Sequence, residues 1–208
     1  MSESKESFSE ILSGEEKNIP KLLKTEGMIA GEVFHTQTEY IKAQKGEKGL
    51  DEFVKKSKEM GYKMDLRKID YKKWQPIGLR PFGWLVALRT FNWTEKDLID
   101  SGYQAPKVSF IMRILARYFV SPEVTIKKSP SYWRKHYTVG SLSVSKIDMK
   151  NKKFVLQIDD FQVSRLFCVF YLGYFKKVVE FGGIENPQIK ETKCMFRGDD
   201  YHEFEITW

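Results

Sequence analysis

Apolar residues recur at helical spacing through most of the first 137 residues, then change to alternation. Residues 1–26 form a polar lead-in holding one short amphipathic segment, Ile11 to Leu23. Met28 to Phe34 reads as a short strand, and Thr36 to Lys45 as a helix. Leu50 to Lys56 reads as a second short helix that stops at Gly61. Pro81 opens an apolar helix that runs to Phe91, as a proline in the first turn does. Thr94 followed by Asp97 is a capping-box start, and Gly102 is the expected end of that short helix. Pro106 introduces an amphipathic helix over 108–119. Ser121-Pro122-Glu123 begins another, interrupted at Pro130 and resumed from Tyr132 to Tyr137.

Residues 140–147 and 154–158 alternate polar and apolar around the turn Asp148 to Lys152, which makes a hairpin. Val163 to Phe181 is apolar and long enough for a buried helix. Residues 189–196 and 201–208 flank Arg197-Gly198-Asp199-Asp200, a second hairpin. The predicted class is α+β: helices on a mainly antiparallel four- to five-stranded sheet, with hairpin–helix–hairpin at the C-terminus. With no repeat and no low-complexity linker, residues 27–208 are expected to form one domain.

Of the 208 residues, 41% are hydrophobic and 30% charged, which excludes a disordered chain. Aromatics reach 14%, enough either to fill a core or to wall a cavity. The longest apolar run, Leu166 to Phe175, is about half a bilayer crossing. No secretory signal is visible, so a cytoplasmic location with reduced thiols is expected. The net charge of +7 is spread in pairs such as Lys55-Lys56 and Lys127-Lys128. No basic run or reading motif points to nucleic acid.

No phosphate loop, nucleophile elbow or paired-histidine zinc helix occurs, and none of the three histidines lies near a convincing nucleophile. A binding module is therefore expected rather than an enzyme. One cluster carries chemistry. Cys194 and His202 face each other across the last hairpin, and Cys168 sits on the preceding helix. Glu191 lies three residues before Cys194, so a regular strand turns it the other way; only a bulge or an irregular strand start brings it round. Two thiolates, an imidazole and a carboxylate make a tetrahedral zinc set.

From Cys168 through Tyr171-Leu172-Gly173-Tyr174 to Glu191, Cys194, Gly198-Asp199 and His202-Glu203-Phe204, the chain resembles the vinyl-4-reductase family of small-molecule-binding domains. That resemblance implies a zinc site on Cys168, Glu191 and Cys194, with His202 standing where the family carries a last cysteine. Gly31-Glu32-Val33-Phe34, Trp133 to Tyr137 and Gly140-Ser141-Leu142 extend a looser likeness to the related haem-based nitric-oxide sensors. Vesicle-tethering subunits share the implied fold of helices over an antiparallel sheet around an apolar pocket.

By that kinship the pocket lining would be Trp84, Phe91, Trp93, Phe110, Met112, Phe119, Trp133, Tyr137, Phe170 and Tyr174, although each taken singly reads as core. The Tyr-x-Ser-x-Arg propionate motif of the haem sensors is missing, which favours zinc over haem as the expected cofactor. The expected function is a small-molecule sensor or carrier domain with an apolar, aromatic pocket and a structural zinc. Its candidate partners are a small apolar or aromatic molecule, a second copy of the chain and a separate signalling protein. The rival readings are a tetrapyrrole-processing enzyme and an adaptor resembling the vesicle-tethering subunits.

Overall fold

The computed structural model describes residues 7–110, 112 and 122–208. Its described elements run α1 (Phe8–Lys17), α2 (Ile19–Leu22), β1 (Met28–Ala30), α3 (Glu32–Glu59), β2 (Trp74–Pro76), α4 (Leu79–Phe91), α5 (Glu95–Val108), α6 (Pro122–His136), β3 (Ser141–Asp148), β4 (Lys153–Asp159), α7 (Arg165–Phe181), β5 (Gln188–Lys193) and β6 (His202–Thr207). This is the predicted α+β arrangement. The main sheet is antiparallel in the order β3-β4-β6-β5, and β1 and β2 form a separate two-stranded ribbon. No described helix is long and apolar enough to cross a membrane.

The period-2 segments become strands as the alternation predicts. In β4, Phe154, Leu156 and Ile158 point into the core; in β6, His202, Phe204 and Ile206 do so. Both hairpins carry one register shift, between Val144 and Lys146 in β3 and between Glu191 and Lys193 in β5. Ser164 caps α7, its hydroxyl accepting from the Leu166 N–H at 3.1 Å. The Asp97 carboxylate accepts from the Thr94 N–H at 2.7 Å, completing the start of α5.

Three helix boundaries differ from the sequence reading. The two short helices over 36–56 are one element, α3, which begins at Glu32, within the expected strand, and bends at Gly46, whose φ of 68° is left-handed. The helix starting at Glu95 continues through Gly102 and carries Pro106 inside it. Pro130 likewise lies within an unbroken α6. The predicted helix over 108–119 falls largely outside the described residues.

Gly102 is interior because α5 and α7 cross there with their backbones nearly touching. A Cβ at Gly102 would lie 2.2 Å from the Phe170 carbonyl oxygen, and one at Gly173 would lie 1.9 Å from that of Ile99. Two bare glycines let the helices approach to a separation that no side chain permits. Residues 8–23 pack on the body as well: Ile11, Leu12 and Leu22 are buried, and the Glu15 carboxylate accepts from the Arg165 N–H at 2.7 Å.

Gly173→Ala is expected to lower stability by about 2 kcal/mol and the melting temperature by roughly 4–8 °C, because the clash is with backbone. Gly14→Ala, where the new methyl meets nothing within 4 Å, is the control. Equal melting of the two variants would show that the crossing tolerates a methyl.

Candidate functional site

A chamber lies between α6, the β3–β4 hairpin and α7. Trp133, His136 and Tyr137 come from the end of α6 and the residue after it; Leu142, Phe154 and Leu156 come from the hairpin; Tyr171, Tyr174 and Phe175 come from α7; and Met112 closes one edge. Its cavity is about 60 Å³, well below the size of a pocket preformed for an organic ligand, so a large ligand enters only by parting side chains.

The end of α6 is held from several directions. Trp133 donates its indole N–H toward the carbonyls of Val139 and Gly140, at 3.1 and 3.2 Å. The Met28 N–H donates to the Thr138 hydroxyl at 2.8 Å, and Ile29 forms a bridge with Tyr137. Rings interlock behind them: Trp133 lies 4.4 Å from Tyr137 and 4.9 Å from Phe161, and Tyr171 stacks on Phe175 at 5.0 Å.

His136 is buried, and its Nδ1 lies 3.0 Å from the Tyr132 carbonyl oxygen. A carbonyl only accepts, so Nδ1 carries the proton and Nε2 is the basic nitrogen. Burial lowers its pKa, against weaker opposing effects of that hydrogen bond and of Glu32, so the ring is neutral. Burial also raises the Tyr137 hydroxyl to about 12 and pushes Tyr171 and Tyr174 up further, keeping all three phenols protonated.

Of the aromatics expected to line a pocket, Trp133, Tyr137 and Tyr174, with Met112, wall this chamber. Phe170 walls a neighbouring space together with Arg80, His136, Tyr137 and Tyr174. Trp84 and Trp93 wall a third space, on the other side of Arg80. Phe91 packs against Trp93 at 4.9 Å and walls none of these. Phe110 does not belong to a pocket: 65% of its surface is exposed. Phe119 lies outside the described residues. The expected lining left out His136, Tyr171 and Arg80; the signal for His136 was its place on the helix that carries Trp133 and Tyr137.

At the opposite end of α7, Cys168, Glu191, Cys194 and His202 converge, with one ligand-type atom from each all within 4.8 Å of one another. The register shift in β5 is what turns Glu191 toward the others. The two sulfurs are 3.9 Å apart, and Cys168 Sγ is 3.5 Å from His202 Nδ1. His202 donates its Nε2–H to the Phe161 carbonyl at 3.1 Å, which points Nδ1 at the thiols. Arg165 donates to Cys194 Sγ at 2.6 Å, and Arg197 pairs with Glu191 at 3.0 Å. The Asp199 carboxylate accepts from the Cys194 N–H at 2.7 Å and holds the turn closed.

These contacts polarise the cluster. The hydrogen bond from Cys168, with help from His202 and Arg165, lowers the Cys194 thiol to about 5 against its burial. Cys168 itself is pushed up, by that same bond and by burial. Burial works against a charged His202, but Cys194 and Glu191 overcome it and raise the ring to about 9. The metal-free cluster at neutral pH is therefore a buried thiolate–imidazolium pair.

Linkage gives its pH dependence. Cys194 is depressed, so its contribution is lost as pH falls through about 5; His202 is raised, so its contribution is lost as pH rises through about 9. Between the unfolded histidine value near 6.5 and about 9 the two slopes cancel, and below about 6.5 stability falls. The wild-type melting temperature measured with chelator should drop from pH 7 to pH 5 by more than that of Cys194→Ala. Parallel curves for the two proteins would show that Cys194 is not ionised in the fold.

No family model and no curated protein matches the chain in sequence. Solved structures do match it. An H-NOX protein from S. oneidensis in the Fe(II)NO ligation state superposes with a TM-score of 0.67 at 15% identity, covering 86% of this chain and 98% of that one. The Fe(II) unliganded H-NOX protein from K. algicida gives 0.58 at 11% identity, covering 86% and 96%. An oxygen-binding H-NOX domain related to soluble guanylate cyclases gives 0.59 at 11%, covering 86% and 94%. The preference for zinc over haem as the expected cofactor is corrected by this result. The neighbours are haem proteins, described by iron ligation state and by haem distortion, so the expectation that haem is unlikely does not stand. Over 86% of its length, this chain has the fold of the H-NOX domains.

Proposed function

We propose that the protein is a small-molecule-binding sensor domain whose chamber would take haem, with His136 as the residue that would hold its iron. The observation that carries the proposal is the His136 imidazole: buried, neutral, its Nδ1–H tied to the Tyr132 carbonyl, on the wall of an aromatic chamber. An axial histidine needs that tautomer and a partner for its other nitrogen. Of the three histidines in the chain, only His136 is available to the chamber. His35 lies on α3 beside Glu39, and His202 belongs to the thiol cluster.

When bound, haem supplies an iron able to take a diatomic gas. The chain's own residues fix the imidazole, exclude water and keep the site apolar. Trp133, Tyr137 and Phe175 supply ring faces, while the protonated phenols of Tyr137, Tyr171 and Tyr174 supply weak polar contacts without charge. Kinship with the vinyl-4-reductase branch is supported by the Cys168–Glu191–Cys194–His202 cluster, which stands away from the chamber.

Titration of the purified protein with haem should give a saturating Soret change at one equivalent and the spectrum of a histidine-ligated iron. His136→Ala should lose that ligation, regain it with added imidazole, and melt within a few degrees of wild type. Failure to bind haem, or a His136→Ala spectrum identical to wild type, would sink the assignment.

A further inference from the structure

Arg80 is 3% exposed, on the first turn of α4. Its Nη1 donates to Gln37 Oε1 at 3.0 Å and its Nη2 to Thr36 Oγ1 at 3.4 Å, both neutral acceptors. Its guanidinium carbon lies 4.7 Å from the Trp84 ring centre. Burial lowers its pKa to about 10, which leaves it charged at neutral pH. No carboxylate among the described residues forms an ion pair with it. A charge buried in this way is costly unless an opposite charge answers it.

A second donor is stranded beside it. Gln37 is 5% exposed, and its Nε2 has no hydrogen-bond partner among the described residues. Arg80 only donates, so the amide gives it Oε1 and keeps Nε2 for another partner. The facing helix makes room for this amide. A Cβ at Gly83 would lie 2.9 Å from Gln37 Oε1 and 3.0 Å from its Nε2. A glycine, which weakens a helix interior, therefore stands where the amide needs space.

Arg80 and Gln37 wall the same small space between α3, α4 and α5, together with Tyr40, Trp84, Trp93 and Ser101. No carboxylate among the described residues lines it. Asp100, on the adjoining turn of α5, is taken by the Tyr40 hydroxyl at 2.9 Å and the Gln104 amide at 3.2 Å. Glu32 borders a different space, which Arg80 also walls, and its charge acts on His136 and Tyr174. The cavity shared by Arg80 and Gln37 is about 10 Å³, room for one small species and too little for a polyatomic ion.

We propose that this space is a chloride site, with the Arg80 guanidinium as the counter-charge and the Gln37 Nε2–H as a second donor. A water molecule there satisfies the amide and leaves the cation unanswered, whereas a monatomic anion does both. The aromatic chamber is walled by neither residue, so the inference is independent of haem.

The test is thermal melting of the purified protein at fixed pH and ionic strength, with sodium gluconate replaced stepwise by sodium chloride. Gluconate is too large for the space. The wild-type melting temperature should rise along a saturating curve, by roughly 3–6 °C at chloride about tenfold above its dissociation constant. Gln37→Glu places a carboxylate of the same shape beside Arg80, and its melting should no longer respond to chloride. Wild-type crystals grown in bromide should show an anomalous peak within hydrogen-bond reach of Arg80 and Gln37 Nε2. Equal wild-type melting in the two salts overturns the inference and needs no variant to fold; the space then holds water alone. A chloride response of the same size in Gln37→Glu also overturns it, because the ions then act at surface lysines. So does bromide found only on the surface.

Discussion

The close crossing of α5 and α7 at Gly102 and Gly173 sets the position of everything that could bind or react. With backbone against backbone at that point, α7 has little freedom to slide or roll. One face of α7 is spent on the crossing; the opposite face carries Cys168, Tyr171 and Phe175 toward the sheet, where Tyr171 and Phe175 meet Phe204 at 6.1 and 5.2 Å. Two sites therefore share one rigid rod. Its first turn brings Arg165 and Cys168 to the thiol cluster, and its later turns bring Tyr171, Tyr174 and Phe175 to the chamber.

The two sites have opposite electrostatic characters. Around the chamber, burial outweighs other influences, so His136 and the three tyrosines sit in their neutral forms. At the cluster, direct contacts outweigh burial, and charge separates between Cys194 and His202. The difference lies in partner density: Cys194 and His202 have ionisable neighbours within hydrogen-bond reach, whereas His136 has a backbone carbonyl. Arg80 stands between these regimes as a buried cation whose contacts are amide, hydroxyl and ring faces. Burial lowers its pKa to about 10, which still leaves it charged at neutral pH.

Strands and the buried helix were legible because their periods are local properties. Alternation over 140–158 and 188–207 can satisfy one sheet face only, and the apolar length of 163–181 fits only a buried helix. Even the bulge that brings Glu191 to the cluster was legible, as a parity conflict with Cys194. Helix ends were less so. Gly102 reads as a stop signal because isolated helices prefer not to contain glycine, yet here a second helix needs the bare backbone at that point. The sequence reads as two helices, 36–45 and 50–56, and the structure joins them in one that bends at Gly46.

By itself, the sequence determined the fold class and the pairing of Cys194 with His202 across the last turn, since both follow from spacing along the chain; the structure ends β5 at Lys193, before Cys194, and brings Cys168 to them from α7. Only the tertiary structure decided which aromatics wall a space and which fill the core, because rings on α4, α6 and α7 have the same composition and period in either role. Phe110 turns to solvent, while Tyr171, absent from the expected lining, faces the chamber. Tertiary structure also decided that Arg80 and Gln37, 43 residues apart, meet in the interior, because no local pattern encodes what packs around a buried side chain.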